Sequence, residues 1–173
     1  MHAATALCSA GVGNVSPMAV TSATPYIWYD SEALEAARFY VGLFPGSSLG
    51  RVSHYLADAQ SPVDTVLTVE FEILGRSFVA LNGGPIFPQS EAFSIQVSCE
   101  TQADVDRVWD AIVGNGGQES QCGWCKDRWG VSWQVIPEAL GRALQGEDGY
   151  DAKFAFEAMM QMRRIVVADL APR

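Results

Sequence analysis

The chain has 173 residues and carries 11 Lys and Arg against 20 Asp and Glu, which gives a formal net charge of −9. This length fits one domain or two small fused modules, and a hydrophobic content of 49% excludes wholesale disorder. Because phosphate binding depends on basic patches, the acidic balance argues against nucleic acid or an anionic membrane surface as a partner. Only two histidines are present, which leaves little room for a His-rich metal site.

The amino-terminal segment, residues 1–24, is rich in Ala, Ser, Thr, Gly and Val and contains no Lys or Arg. It lacks the positive and apolar regions of a secretory signal, so we predict a disordered leader, with Met18 as an alternative start. No apolar run approaches the ~18–20 residues of a membrane-spanning helix. These features predict a cytoplasmic protein with no membrane partner.

The first half of the chain predicts a strand, a capped helix and three further strands. The helix follows Ser31, a residue type that is typical of N-caps, and runs to about Phe44. Residues 65–74 alternate between apolar and polar side chains, as in a strand with one buried face. The predicted strands of this half are 26–30, 49–56, 65–74 and 77–82.

The second half repeats this order of elements. Thr101 with Asp104 resembles a capping box, and apolar residues from Val105 onward follow helical spacing. Pro137 suits the first turn of a final helical region. The predicted strands of this half are 92–99, 119–121, 124–128 and 131–136.

The repeat predicts an α+β fold of paired βαβββ modules with C-terminal helices. The two predicted caps, Ser31 and Thr101, are 70 residues apart in the chain. Each unit is too short for an independent core, so we expect both to pack into one sheet system with helices outside and a hollow inside. The predicted fold occupies residues 25–173, with modules at 25–84 and 91–137 and a helical extension at 138–173.

Cys122 and Cys125 form a CxxC motif, which occurs in redox pairs and in half-sites for zinc. The sequence offers neither a second CxxC nor a nearby His to complete a zinc site. Redox pairs usually lie where a strand meets a helix N-terminus, whereas this motif runs into a predicted strand. In a reducing compartment the pattern therefore favours two ordinary thiols.

Three sequence segments resemble the PhnB-like family. They are ALNGGP at 80–85, SIQVSCETQ at 94–102 and CGWCKDRWGVSWQVIP at 122–137. That family belongs to the vicinal oxygen chelate (glyoxalase/bleomycin resistance) superfamily and often carries the label 3-demethylubiquinone-9 3-methyltransferase. The resemblance covers about 24–170 and implies the glyoxalase fold and a homodimer. Cys125 stands where such proteins more usually carry an aliphatic residue.

The resemblance also allows the metal ligands to be checked. Members that use a divalent ion hold it with His and Glu or Gln side chains on cavity-facing strands. His2 lies in the leader, His54 lies on a strand that does not normally supply a ligand, and Gln134 stands where a ligand Glu is common. We therefore expect no metal and no cofactor, and we keep a metal-dependent lyase or dioxygenase as an alternative.

The methyltransferase label has no support in the residues themselves. Most methyltransferases bind S-adenosylmethionine on a doubly wound sheet, with a Gly-rich loop between the first strand and helix. Here residues 30–32, Asp-Ser-Glu, make that connection without a glycine.

Polar residues on the faces opposite the apolar stripes are expected to line a cavity or its rim. Glu70 is the candidate catalytic residue, as a general base in apolar surroundings, and solvent or a dimer rim is the alternative for Glu70 and Glu72. The candidate substrate-binding residues are Trp28, Asn82, Gln96, Trp124 and Gln134.

Two function classes remain open at this point. In the first, the protein is a metal-independent enzyme that acts on a small, partly aromatic or hydrophobic metabolite. In the second, it is a binding or sequestering protein of the bleomycin-resistance type, without chemistry. A titratable group buried in the pocket would favour catalysis.

Overall fold

Two four-stranded sheets, each carrying one helix, form the main part of the structure. The structure is a computed structural model that describes residues 21–56 and 65–172. The alternative start at Met18 and most of the predicted leader therefore lie outside the described residues.

The first half folds as the predicted βαβββ unit. Its sheet has the order β1-β4-β3-β2, in which β1 is parallel to β4 and the other neighbours are antiparallel. Its elements are β1 (Tyr26–Tyr29), α1 (Ala33–Leu43), β2 (Ser48–His54), β3 (Val66–Ile73) and β4 (Arg76–Asn82).

The second half repeats this topology, with the order β5-β8-β7-β6 and β5 parallel to β8. The predicted strand at 124–128 ends early, because Asp127 begins the turn that leads into the last strand. The elements are β5 (Ser94–Cys99), α2 (Gln102–Gly114), β6 (Gln118–Glu119), β7 (Trp124–Lys126) and β8 (Ser132–Pro137).

Two short helices follow, α3 (Glu138–Gln145) and α4 (Ala152–Met159). Pro137 is the N-cap of α3, one residue before the first turn in which the sequence placed it. A small second core forms between α3, α4 and the chain end at Leu170. Within the described part of the chain, no helix has both the length and the apolar character needed to cross a membrane.

The two helix starts in the modules differ. At α2 the prediction is confirmed, because Thr101 Oγ1 accepts a hydrogen bond from the Asp104 N–H at 3.2 Å. At α1 the prediction of a Ser31 cap is wrong. The helix begins at Ala33, whose N–H donates to Asn82 Oδ1 at 2.8 Å, so the cap is supplied from the end of β4.

One hydrophobic core joins the two halves. Tyr40 of α1 lies 5.1 Å from Trp133 of β8 between ring centroids, and Phe44 lies 5.8 Å from the same ring. Part of the predicted hollow is therefore filled by aromatic side chains. Helix α1 contacts strands of both halves and does not simply lie outside them.

Candidate functional site

Each sheet packs one face against helices and leaves the other face open. On the first sheet, strand alternation places Val69 and Phe71 in the core and Glu70 and Glu72 on the open face. A cleft of about 470 Å³ lies over this open face. Its lining includes Thr24, Tyr26, Ser48, Glu70, Glu72, Ser77 and Val79.

Glu70, the predicted general base, lines this cleft as an ion-paired carboxylate. Its Oε1 lies 2.5 Å from Nη2 of Arg51, and the Glu70 side chain is 43% exposed. The neighbouring strand carries Gly50, where a Cβ would lie 3.0 Å from the Cβ of Glu70. The single chain therefore does not provide the apolar surroundings that the prediction assumed, and the catalytic role stays a prediction.

The open face of the second sheet brings together three of the predicted ligand-binding residues. Gln134 of β8 is the register partner of both Gln96 on β5 and Trp124 on β7. Gln134 Nε2 donates to Ser94 Oγ at 2.9 Å, which orients the amide along this face. The strand alternation identified in the sequence places these residues on one face, and the strand register brings them side by side.

A smaller cleft of about 130 Å³ lies on the same face. Lys126 and Ser132 are cross-strand partners there, and Nζ of Lys126 lies 2.5 Å from Oε1 of Glu91. The hydrogen bond from Lys126 lowers the pKa of the Glu91 carboxyl. Ser132 is 1% exposed, and its hydroxyl has no partner in the part of the chain that the structure describes. The predicted site residues do not include this pair, although the hairpin register could have brought the two together.

Asn82 lies on the opposite, helix-facing side of the first sheet, so its predicted orientation is wrong. It is 5% exposed, its Oδ1 accepts from Ala33 and its Nδ2 donates to the carbonyl of Val66 at 3.0 Å. Both ends of the amide are therefore occupied by the backbone. Asn82 holds the start of α1 against β3 and β4.

Trp28 stands at the edge of another cleft, of about 460 Å³. Its Nε1 donates to the Gly84 carbonyl at 2.7 Å, and its ring meets Phe87 edge to face at 5.0 Å. Across the cleft, Arg128 lies over the ring of Trp129, 4.4 Å from the centroid. Trp28 thus forms an aromatic wall of a cleft at the junction of the two halves, and its substrate-binding role stays a prediction.

Asp127 is a buried carboxylate in the shared core. Its Oδ2 accepts from the hydroxyl of Tyr40 at 2.6 Å and from Nε1 of Trp133 at 2.9 Å, and its Oδ1 accepts from two backbone N–H groups at 3.0 Å. Burial raises the pKa of Asp127, and burial also raises the pKa of Tyr40. The carboxylate stabilises the turn and joins it to α1.

The CxxC thiols lie in different surroundings. Cys125 is buried, and burial raises the pKa of its thiol to about 12, which disfavours the reactive thiolate. Cys122 is half-buried, and its Sγ lies 3.8 Å from Sδ of Met160. Both thiols are free, and the interpretation as two ordinary cysteines stays a prediction.

Metal-ligating groups are dispersed. Within 21–56 and 65–172, no three or more His, Cys, Asp or Glu side chains are grouped so that they could hold an ion. His54 lies at the end of the edge strand β2, and the Gln134 amide is bonded to Ser94.

Comparisons with known proteins give one family and several structures. The family model that matches residues 21–136 is described as 3-demethylubiquinone-9 3-methyltransferase. A solved structure of a PhnB protein from Bacillus cereus is 27% identical with a TM-score of 0.60, and the alignment covers 68% of this chain and 99% of that chain. None of the curated proteins matches the chain.

Two further structures have lower identity. A protein of Pseudomonas aeruginosa is 21% identical with a TM-score of 0.56, and the alignment covers 69% of this chain and 98% of that chain. A glyoxalase/bleomycin resistance protein from Albidiferax ferrireducens is 13% identical with a TM-score of 0.40, and the alignment covers 63% and 94% of the two chains. The family match ends before α3, so the C-terminal helices lie beyond it.

Proposed function

The chain belongs to the PhnB-like family described as 3-demethylubiquinone-9 3-methyltransferase, and we propose that it binds a small, partly hydrophobic metabolite on the open faces of its two sheets. The observation that carries this proposal is the 470 Å³ cleft over the first sheet. Its size lies within the roughly 300–1,000 Å³ of small-molecule sites. Tyr26 and Val79 supply apolar contacts, while Ser77 and Glu72 supply polar ones.

A homodimer would complete the site. The predicted site residues are divided within one chain: Glu70 and Trp28 belong to the first sheet, and Gln96, Trp124 and Gln134 belong to the second. A second copy that covers the open faces would supply the missing walls. Light scattering coupled to size-exclusion chromatography tests this proposal, and a monomer at micromolar concentration would contradict it.

Binding without chemistry is the second candidate function. Asp127 is a buried carboxylate with a raised pKa, and it lies in the core, away from the open faces. Glu70 is partly exposed and paired with Arg51. Because catalysis usually needs a perturbed titratable group in the pocket, this distribution favours sequestration as long as no turnover is found.

We propose that the protein uses neither S-adenosylmethionine nor a resident metal. β1 ends at Tyr29 and α1 begins at Ala33, and the three residues between them contain no glycine to approach a nucleotide-like group. Stoichiometric metal in the purified protein, measured by elemental analysis, would overturn the metal-independent proposal and restore the lyase or dioxygenase alternative.

The central experiment is native mass spectrometry of the purified protein, which identifies any small molecule that co-purifies. Filling the cleft with Ser77→Trp should abolish binding of that molecule, because Ser77 lines the cleft. Glu157→Trp, on the exposed face of α4, is the matched control and should retain binding. Unchanged binding to the Ser77→Trp variant would show that the ligand does not bind in this cleft.

We propose that the protein is cytoplasmic because of the state of its thiols. Cys99, Cys122 and Cys125 are free in the described part of the chain, which fits a reducing compartment such as the cytoplasm.

A further inference from the structure

The open face of the second sheet carries a cation beside an unsatisfied hydroxyl. Lys126 on β7 and Ser132 on β8 are directly opposite in the antiparallel register, so both side chains point to the same face. The small cleft of about 130 Å³ is lined by both of them and by the half-buried Trp124. A positive charge, a hydrogen-bond donor and an aromatic wall thus lie together in this cleft.

The charge of Lys126 is balanced by a residue from outside the sheet. Glu91 belongs to the segment between β4 and β5, and its Oε1 lies 2.5 Å from Nζ of Lys126. The Glu91 side chain is 66% exposed, whereas that of Lys126 is 29% exposed. An exposed carboxylate on a connecting segment can be displaced, because surface ion pairs contribute little to stability.

The hydroxyl of Ser132 is the second, independent observation. Ser132 is 1% exposed, and its Oγ has no hydrogen-bond partner in the described chain. Buried hydroxyls in native proteins are nearly always bonded, so this one calls for a partner that is absent from the single chain. Since Ser132 lines the cleft, a group that enters the cleft next to Lys126 can accept a hydrogen bond from the Ser132 hydroxyl.

We propose that this cleft recognises the carboxylate group of the ligand. The ligand carboxylate replaces that of Glu91, pairs with the ammonium of Lys126 and accepts a hydrogen bond from Ser132, while apolar parts of the ligand contact Trp124. The other carboxylate at the cleft does not compete, because Glu119 is bonded to Arg163 at 3.0 Å and to Trp109 at 3.2 Å. This inference rests on the proposed function and narrows the ligand to a small carboxylic acid.

Benzoate is the probe, and benzyl alcohol is its uncharged counterpart. We expect benzoate to shift the backbone amide signals of Lys126 and Ser132 and the indole signal of Trp124 in ¹H–¹⁵N NMR spectra. Benzyl alcohol at the same concentration should leave the first two unchanged. Equal shifts with both probes would mean that the cleft does not recognise charge and would overturn the proposal.

Variants test each contact separately. Glu91→Gln removes the competing carboxylate and should tighten benzoate binding by about tenfold, since a charged hydrogen bond is replaced by a neutral one. Lys126→Met should weaken binding at least about tenfold, and Ser132→Ala should weaken it by a smaller factor. Lys126→Gln keeps a polar end and serves as the second variant if the Met variant folds poorly.

Glu157→Gln is the matched control, because it removes a carboxylate from another exposed ion pair, with Lys153 at 3.8 Å. It should leave benzoate binding unchanged. Unchanged affinity in Glu91→Gln, or full affinity in both Lys126 variants, overturns carboxylate recognition. If carboxylate recognition fails in this way, the proposed function can still hold. It would be supported by an uncharged co-purified metabolite whose binding is lost in Ser77→Trp.

Discussion

The hydroxyl of Tyr40 donates to Oδ2 of Asp127 at 2.6 Å, and the two residues are 87 positions apart in the chain. One belongs to the helix of the first half and the other to the last turn of the second half. The hydroxyl of Tyr29 lies 3.0 Å from that of Tyr40 and extends this polar chain into β1. The core between the halves is thus joined by hydrogen bonds as well as by ring packing.

Removing the Tyr40 hydroxyl should destabilise the protein. Tyr40→Phe keeps the ring but leaves the buried Asp127 carboxylate with one donor fewer, which should lower the free energy of unfolding by about 2 kcal/mol. Urea denaturation measures the change. Tyr26→Phe is the control, because Tyr26 is 62% exposed and its variant should stay within about 0.5 kcal/mol of wild type. Equal effects in both variants would contradict a structural role for the bond.

Stability should depend on the protonation of Asp127 with a defined sign. Burial raises the pKa of this carboxyl in the folded protein above its ordinary value of about 4. The folded state therefore binds the proton more tightly than the unfolded state does. The stability gained in this way is fully present below the ordinary pKa and is lost as the pH rises through the raised pKa.

The difference in unfolding free energy between wild type and Asp127→Asn isolates this effect, because the other carboxyl groups titrate in both proteins. We expect the difference to fall as pH increases from about 4 toward neutrality. A difference that rises over this range would show that Asp127 is stabilised as the charged form.

Alkylation should distinguish the three described cysteines. Burial raises the pKa of Cys99 to about 11 and that of Cys125 to about 12, so neither should react with iodoacetamide near pH 8 in the folded state. Cys122, which is half-buried, should react first. Peptide mapping by mass spectrometry measures the order, and unfolding in guanidinium should make all three reactive. A Cys122–Cys125 disulfide after mild oxidation would restore the redox interpretation.

Gly83 should tolerate no side chain. A Cβ at this position would lie 2.1 Å from Cζ2 of Trp28, so Gly83→Ala must displace the indole and should destabilise the protein by about 1–3 kcal/mol. Gly141 lies inside α3 with nothing within 4 Å of its added Cβ, and Gly141→Ala should stabilise the helix by about 0.5–1 kcal/mol. Thermal unfolding of both variants provides the comparison, and a stabilised Gly83 variant would show that the indole is free to move.

Local patterns predict much of this fold. Alternating residues identify β3 and β5, helical spacing identifies α2, and the cap at Thr101 depends only on residues three positions away. The same alternation places Gln96 and Gln134 on one open face. These features are local, and a sequence shows them directly.

Contacts between distant residues could not be predicted in this way. Asn82 caps α1 from 49 positions away, and Glu70 meets Arg51 across a strand pair whose register shifts near Arg51. The pattern of polar and apolar residues is the same whether Asn82 faces a cavity or a helix start. The side on which its amide finds partners depends on where the helix packs.

Because of the aromatic contact between α1 and β8, the two halves of the chain share one core. A repeated βαβββ unit suggests two structurally equivalent parts. Here Tyr40 and Trp133 are both fully buried against residues of the opposite half. Separated halves would each expose a large aromatic surface, so we expect the duplicated units to unfold together as one cooperative unit.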